Sequence, residues 1–225
     1  MAQVIVASPN GATVLGAGEL YPNVLNSALL HAPDLVAADG AAARAIDLGL
    51  EPKAVIGDID SLDDATIAML PPAKVHRISE QETTDFDKCI RSVDAPYILA
   101  VGFTGARLDH ELAAYWTLAA YPDRVCLLLG PEDLAFIAPP DLKLDLAPGT
   151  RVSFFAMGDV KGEATGLRWP ISGLDFRPGS GRLGISNEAT GPVHLKFTSR
   201  KMLTFLPLGC LELALRALAP EEFAR

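Results

Sequence analysis

The sequence predicts an α/β protein, a doubly wound, mostly parallel sheet domain followed by an all-β sandwich domain. Three observations carry that expectation. Up to Gly130, short β-branched runs alternate with Ala/Leu-rich stretches of helical period, the pattern of successive βα units. After Gly130 the texture changes: Pro139-Pro140 interrupts the chain, and short hydrophobic runs follow, separated by Gly, Pro, Asn and Ser. A chain of 225 residues, 49% of them hydrophobic, is long enough to bury a core in one large domain or two small ones. The expected boundaries are 1–138 and 139–225, the second part including a closing helix.

In the first part the candidate strands are Ala12–Leu15, Leu35–Ala38, Ala54–Ile56, Val75–Ile78, Tyr97–Val101 and Val125–Leu129. Helix candidates lie between them at Val24–Leu30, Ala41–Leu48, Asp64–Leu70, Asp85–Val93 and Leu108–Ala119, and Thr83 or Thr84 is a usable cap for the fourth. In the second part Leu142–Leu146, Arg151–Phe155, Val193–Phe197 and Met202–Leu206 read as strands. Gly158, Gly162, Gly166, Gly173, Gly179, Gly181, Gly184 and Gly191 read as turns between them. Gly209–Leu218, apolar and rich in Leu and Ala, reads as the closing helix.

Composition narrows the function classes. With 19 Lys+Arg against 28 Asp+Glu the formal charge is −9, which repels phosphate backbones, so nucleic acid is not an expected partner. An acidic chain still holds polyphosphate through divalent metal, which keeps metal in view. Cys89, Cys126 and Cys210 are odd in number and never in a Cys-x-x-Cys pair, against a disulfide framework or structural zinc; three buried thiols in a reducing cytoplasm are expected. The first residues have no basic stretch, and no apolar run approaches a membrane span, so a cytoplasmic protein without a membrane partner is expected.

Four constellations carry chemistry. Gly57-Asp58-Ile59-Asp60-Ser61 follows directly on a strand, putting two carboxylates at the carboxyl end of a parallel sheet, where ligands bind and oxygen donors suit Mg²⁺. The alternative is capping of the next helix by Asp60 or Ser61. Asp39, followed by Gly40, repeats the arrangement after the preceding strand, with the same two readings. Glu80-Gln81-Glu82-Thr83-Thr84-Asp85 combines a helix cap with more acids than capping needs. Gly102-Phe103-Thr104-Gly105-Ala106-Arg107-Leu108-Asp109-His110 joins a strand to a helix. Its amides and the Arg107 fork suit phosphate, while an Arg107–Asp109 ion pair is the bland reading. Asp109 is a candidate for metal or for orienting Arg107, and His110 reads as an ordinary helix residue.

The common nucleotide signatures fail. There is no P-loop, and Gly179-Ser-Gly-Arg-Leu-Gly184 matches a dinucleotide fingerprint only by letter, since it lies among turns of the all-β part. There, Gly166-Leu167-Arg168-Trp169 and Ser186-Asn187 combine an aromatic with polar groups; Trp169 either stacks on a flat ligand or fills a core or an interface.

Taken in order, Ala38-Asp39-Gly40-Ala41, the Gly57–Ser61 and Glu80–Asp85 segments, Gly105-Ala106-Arg107-Leu108-Asp109-His110, Gly166-Leu167-Arg168-Trp169 and Ser186-Asn187 resemble the motifs of the thiamin pyrophosphokinase family. The resemblance implies transfer of pyrophosphate from ATP to the hydroxyl of thiamin, giving thiamin diphosphate and AMP, with Mg²⁺ as cofactor. It implies a homodimer with the thiamin pocket between subunits. Asp39, Asp58, Asp60 and Asp85 become the acidic cluster for Mg²⁺ and polyphosphate, with Asp58, Asp60 and Asp85 as metal ligands. Asp58, Asp60, Asp85 and Arg107 are the implied catalytic residues. Asp39, Gly40, Thr84, Arg107, Asp109 and His110 line the nucleotide side, and Gln81, Trp169, Ser186 and Asn187 the thiamin side. Ala41 and Ala106 stand where the family has glycine, and Glu80 and Glu82 where it has aspartate. Two other readings follow from the same residues: a Mg²⁺-dependent hydrolase of nucleotides or phosphate esters, and a non-catalytic thiamin- or nucleotide-binding module.

Overall fold

A computed structural model describes residues 3–223. In chain order the elements begin β1 (Val6–Ala7), β2 (Ala12–Leu15), α1 (Pro22–His31), β3 (Asp34–Ala38), α2 (Ala41–Asp47), β4 (Ala54–Gly57) and α3 (Asp64–Met69). Next come β5 (Val75–Arg77), α4 (Asp85–Ser92), β6 (Val93–Asp94), β7 (Ile98–Val101), α5 (Leu108–Ala120), β8 (Cys126–Leu129) and β9 (Asp133–Ile137). Then follow β10 (Asp141–Leu144), β11 (Arg151–Ala156), β12 (Val160–Leu167), β13 (Asp175–Phe176), β14 (Gly184–Phe197), β15 (Met202–Pro207), α6 (Leu211–Leu218) and α7 (Pro220–Phe223). The expected mixed α/β class is borne out. No helix among the described residues is long and apolar enough to cross a membrane.

The chain divides into two compact units, one running to Thr117 with Leu128–Gly130, the other comprising Leu118–Leu127 and the chain from Pro131 onward. In the first, β7, β2, β3, β4 and β5 lie side by side in that order, all parallel. Strands β2, β4 and β7 are buried at every position, as strands covered on both faces must be, which is why they read as uninterrupted apolar runs. The amphipathic α4 turns Phe86, Cys89 and Ile90 inward, with Asp85 and Asp87 at its positive end and Arg91 in its last turn. The helix starts on Thr84, whose hydroxyl accepts the Asp87 amide at 3.2 Å.

In the second unit β13, β12, β14, β11, β15 and β9 pair in that order, and every neighbour is antiparallel. The long β14 pairs with β11 through Gly184–Glu188 and with β10 and β12 through Val193–Phe197. Here the turn reading of the glycines needs correction. Gly158, Gly173, Gly179 and Gly181 do lie in turns and bends, but Gly162, Gly166, Gly184 and Gly191 lie inside strands. Gly166 sits at a register shift of β12 with φ +77°, and a Cβ there would come within 2.1 Å of the Pro192 carbonyl oxygen, so glycine serves close strand approach rather than reversal. Cys89 and Cys126 are buried free thiols as expected, whereas Cys210 is only partly buried.

Candidate active site

In the first unit the chain runs β2, β3, β4, β5 to one side and then returns to place β7 on the other side of β2. Loops leaving the carboxyl ends of strands on either side of such a reversal part from each other and leave a crevice. The crevice is here a cleft of about 480 Å³, lined by Ala17 and Gly18 after β2, Asp39 and Gly40 after β3, Asp58 and Ser61 after β4, Gln81, Thr83 and Thr84 after β5, and Gly102, Phe103 and Gly105–Arg107 after β7. Asp85, Phe86 and Lys88 of α4 and His110 and Ala114 of α5 complete it.

Three acids meet on one side. Asp39 is 2% exposed and left-handed (φ 40°), a strained setting for a residue other than glycine. It approaches Gly57 so closely that a Cβ on Gly57 would lie 2.6 Å from its own Cβ, which explains the glycine ahead of Asp58. The Ser61 amide donates to Asp39 Oδ2 at 3.3 Å, while Asp39 Oδ1 is buried with no partner among the described residues. Gln81 Nε2 donates to Asp58 Oδ2 at 2.8 Å, and Ser61 Oγ donates to Asp60 Oδ1 at 3.2 Å. Between Asp58 and Asp60, Ile59 is buried and left-handed (φ 63°). One carboxylate oxygen from each of Asp39, Asp58 and Asp60 lies within 4.8 Å of the others. None of the three serves as a cap: the α3 cap is Asp63, accepting the Thr66 amide at 2.7 Å, and α2 starts at Gly40 without a side-chain cap. An all-oxygen donor set with an orphaned buried carboxylate oxygen fits a hard divalent cation such as Mg²⁺.

Asp85 stands apart from that trio, paired with a residue the sequence reading missed. Lys88, one turn along α4, has its side chain 2% exposed and sets Nζ 3.0 Å from Asp85 Oδ1 and 3.5 Å from Asp58 Oδ2. The signal available was its place on the apolar face between Phe86 and Cys89, where an unpaired lysine would be costly. Burial raises the Asp85 carboxyl above the usual range, and the charges of Asp39 and Asp58 add to this, outweighing Lys88. Burial pushes Asp58 the same way, but hydrogen bonds from Gln81 and the Asp60 amide, with the Lys88 charge, hold it below the ordinary value. For Lys88, burial works against the charged form, and Asp85, Asp58 and Glu80 more than compensate, raising it.

On the opposite side Arg107 reaches the cleft while bound in a fork to Asp109, Nε to Oδ1 at 3.1 Å and Nη2 to Oδ2 at 2.6 Å, both side chains well exposed. The Arg107 hydrogen bond holds the Asp109 carboxyl down at about 2. The ion pair and the cleft position therefore coexist. His110 lines the cleft and is exposed; Phe103 packs on Phe86 at 4.2 Å between centroids. Gly40 and Thr84 line the cleft at the starts of α2 and α4.

Gln81 thus belongs with Asp58 in the first unit, while the other residues expected on the thiamin side gather in the second. Asn187, 3% exposed, accepts the amides of Trp169 at 3.1 Å and Glu188 at 2.9 Å through Oδ1 and donates through Nδ2 to the Trp169 carbonyl at 2.7 Å. Trp169 is held by its backbone, the residue 48% exposed and the Arg168 guanidinium 5.0 Å from the ring centroid, so it is not a core tryptophan of this chain. Ser186 Oγ lies 3.3 Å from Ser153 Oγ across the β11–β14 pair.

The family described as "Thiamin pyrophosphokinase, catalytic domain" matches residues 25–127. Two curated relatives from Arabidopsis thaliana are similar: Thiamine pyrophosphokinase 1, 28% identical over 64% of this chain and 61% of its own, and Thiamine pyrophosphokinase 2, 30% identical over 61% and 58%. The match thus spans about three fifths of those relatives. A thiamin pyrophosphokinase structure from Geobacillus thermodenitrificans superimposes with a TM-score of 0.71 at 23% identity, covering 88% of this chain and 96% of that one, a likeness of fold. The resemblance read from the six motifs is therefore borne out: the chain is similar to the thiamin pyrophosphokinases.

Proposed function

We propose that the protein is a thiamin pyrophosphokinase, transferring pyrophosphate from ATP to the hydroxyl of thiamin to give thiamin diphosphate and AMP. The observation that carries the proposal is the cleft itself: Asp39, with its orphaned carboxylate oxygen, and Asp58, two of three converging acids, line one crevice together with a phosphate-suited arginine on a strand-to-helix loop. Asp39, Asp58 and Asp60 would hold Mg²⁺, with Asp85 and Lys88 beside them. The ion, when bound, would supply charge for polyphosphate oxygens. Arg107 exchanges Asp109 for phosphate oxygens and so stabilises charge that grows as the bond to the α-phosphate side breaks. Asp85, made more basic by burial and its acidic neighbours, orients the attacking hydroxyl and accepts its proton. Gly40, Thr84, Asp109 and His110 complete the nucleotide side. Trp169 and Ser186 receive thiamin, the exposed indole stacking on a thiamin ring, while the buried Asn187 holds the Trp169 backbone in place and Gln81 is the candidate thiamin contact of the first unit.

The reading extends to organisation. Residues 1–138 form the catalytic domain and 139–225 a thiamin-binding sandwich, and two chains associate in the cytoplasm. In support of association, α5 presents Leu108, Leu112 and Trp116 at successive turns, 77%, 68% and 64% exposed, an apolar stripe that a second copy would cover. Thermal shift tests the site: Mg²⁺ with ATP should raise the Tm of the wild-type protein by mass action and leave Asp58→Asn nearly unmoved. Equal shifts in both proteins would remove Asp58 from the site.

A further inference from the structure

The loop that carries Arg107 is conformationally expensive. Gly105 and Ala106 are consecutive left-handed residues, φ 71° and 55°, and the second has a Cβ to accommodate. Such a loop keeps its shape only when its surroundings over-determine it. On one side, the Glu19 amide donates to the Thr104 carbonyl at 3.1 Å, and the Glu19 side chain lies so near that a Cβ on Gly105 would sit 2.7 Å from Glu19 Cδ. On the other, Glu111 Oε2 accepts the Gly105 amide at 3.0 Å, while Glu111 Oε1 accepts the Tyr115 hydroxyl at 3.2 Å. The carboxylate is thus gripped at one end by the loop and at the other by the next turn of α5. Half-buried, it does not itself line the cleft.

We propose that Glu111 is a positioning residue: by holding the Gly105 amide it locks the left-handed pair and so aims the Arg107 guanidinium, two residues on, at the polyphosphate. The proposal rests on the ATP reading above and deepens it. Since the Gly105 amide is spent on Glu111, anion recognition by this loop falls on Arg107 rather than on that amide. What the grip needs is an oxygen acceptor at this place, which a glutamine also offers.

The test compares wild type, Glu111→Ala, Glu111→Gln and Tyr115→Phe by steady-state kinetics, calorimetric titration with Mg·ATP, and thermal melting. Loss of the grip in Glu111→Ala should raise KM for ATP and Kd for Mg·ATP roughly tenfold and lower kcat as well, because Arg107 also meets the charge that grows in the transition state, and Glu111→Gln should stay within about threefold of wild type in each. Tyr115→Phe, which removes the hydroxyl that donates to Glu111 Oε1, should raise KM by about two- to threefold and keeps the proposal testable should Glu111→Ala not fold. Lower Tm with unchanged KM and Kd would make Glu111 merely structural and overturn the proposal. Tighter Mg·ATP binding in Glu111→Ala and Glu111→Gln would overturn it too, since Glu111 would then be a stand-in that phosphate displaces. Wild-type protein that fails to bind Mg·ATP overturns the nucleotide reading along with it, whereas normal wild-type binding with unaltered variants overturns the proposal alone.

Discussion

Lys88 and Asp85 meet within one turn of α4, ammonium to carboxylate oxygen 3.0 Å apart, at the wall of the acidic cleft. The same ammonium lies 3.5 Å from Asp58, so one buried cation serves two carboxylates. Removing it leaves partly buried like charges facing each other. Lys88→Met should therefore cost about 2 kcal/mol in denaturant unfolding, below the ~3–5 kcal/mol typical of a fully buried broken pair because Asp85 is about a third exposed. Saturating Mg²⁺ should recover part of the loss, raising the Tm of the variant more than that of wild type. Equal rises would mean that Lys88 and the metal do not share the same carboxylates.

Glu80 gives a pH prediction with a definite sign. The Thr83 hydroxyl, with loop amides and Arg91, holds its carboxyl down at about 2 against an ordinary 4.5. A group depressed on folding contributes stability in full above its unfolded value and loses it as pH falls towards the folded one. The stability gap between wild type and Glu80→Gln should be constant at neutral pH and shrink from about 4.5 down to about 2. Urea melts across that range check it; a gap that widens on acidification contradicts the assignment.

Ala106→Gly should be neutral or stabilising, because glycine relieves a left-handed strain that offsets its greater freedom in the unfolded chain. The control is Ala42→Gly in the buried face of α2, which should cost about 1–2 kcal/mol through lost helix propensity and a lost methyl. Comparable destabilisation of both would mean that Ala106 is unstrained.

Asn187 and Trp169 should separate by readout. Asn187→Ala strands two amides and a carbonyl and should cost about 1–3 kcal/mol of stability. Trp169→Ala, at an exposed ring, should leave the Tm within a degree or two while weakening thiamin binding and sparing ATP binding, as read by calorimetry. Parallel loss of both ligands would assign Trp169 to structure.

The parallel strands were legible because burial on both faces writes a continuous apolar run, as in Leu35–Ala38 and Ala54–Ile56, each within a residue of the observed strand. Strand β12 was not, since Gly162 and Gly166 read as punctuation when they in fact clear the Phe197 ring and the Pro192 carbonyl. Strand β9 went unread because the seven residues between Pro131 and Pro139, five of which form it, look like a connection. At the site, Asp39, Asp58 and Asp60 were legible from their places after strands. Lys88 was not, because a lone lysine is by default a solvated one, and only the tertiary approach of Asp58 gives it a second partner.

The central claim is pyrophosphoryl transfer, and the most direct measurement is to incubate the purified protein with thiamin, ATP and Mg²⁺ and resolve the products by chromatography with mass detection. Thiamin diphosphate with equimolar AMP, abolished by Asp58→Asn, is the expected result. ADP with thiamin monophosphate, or ATP hydrolysed while thiamin is untouched, would contradict it.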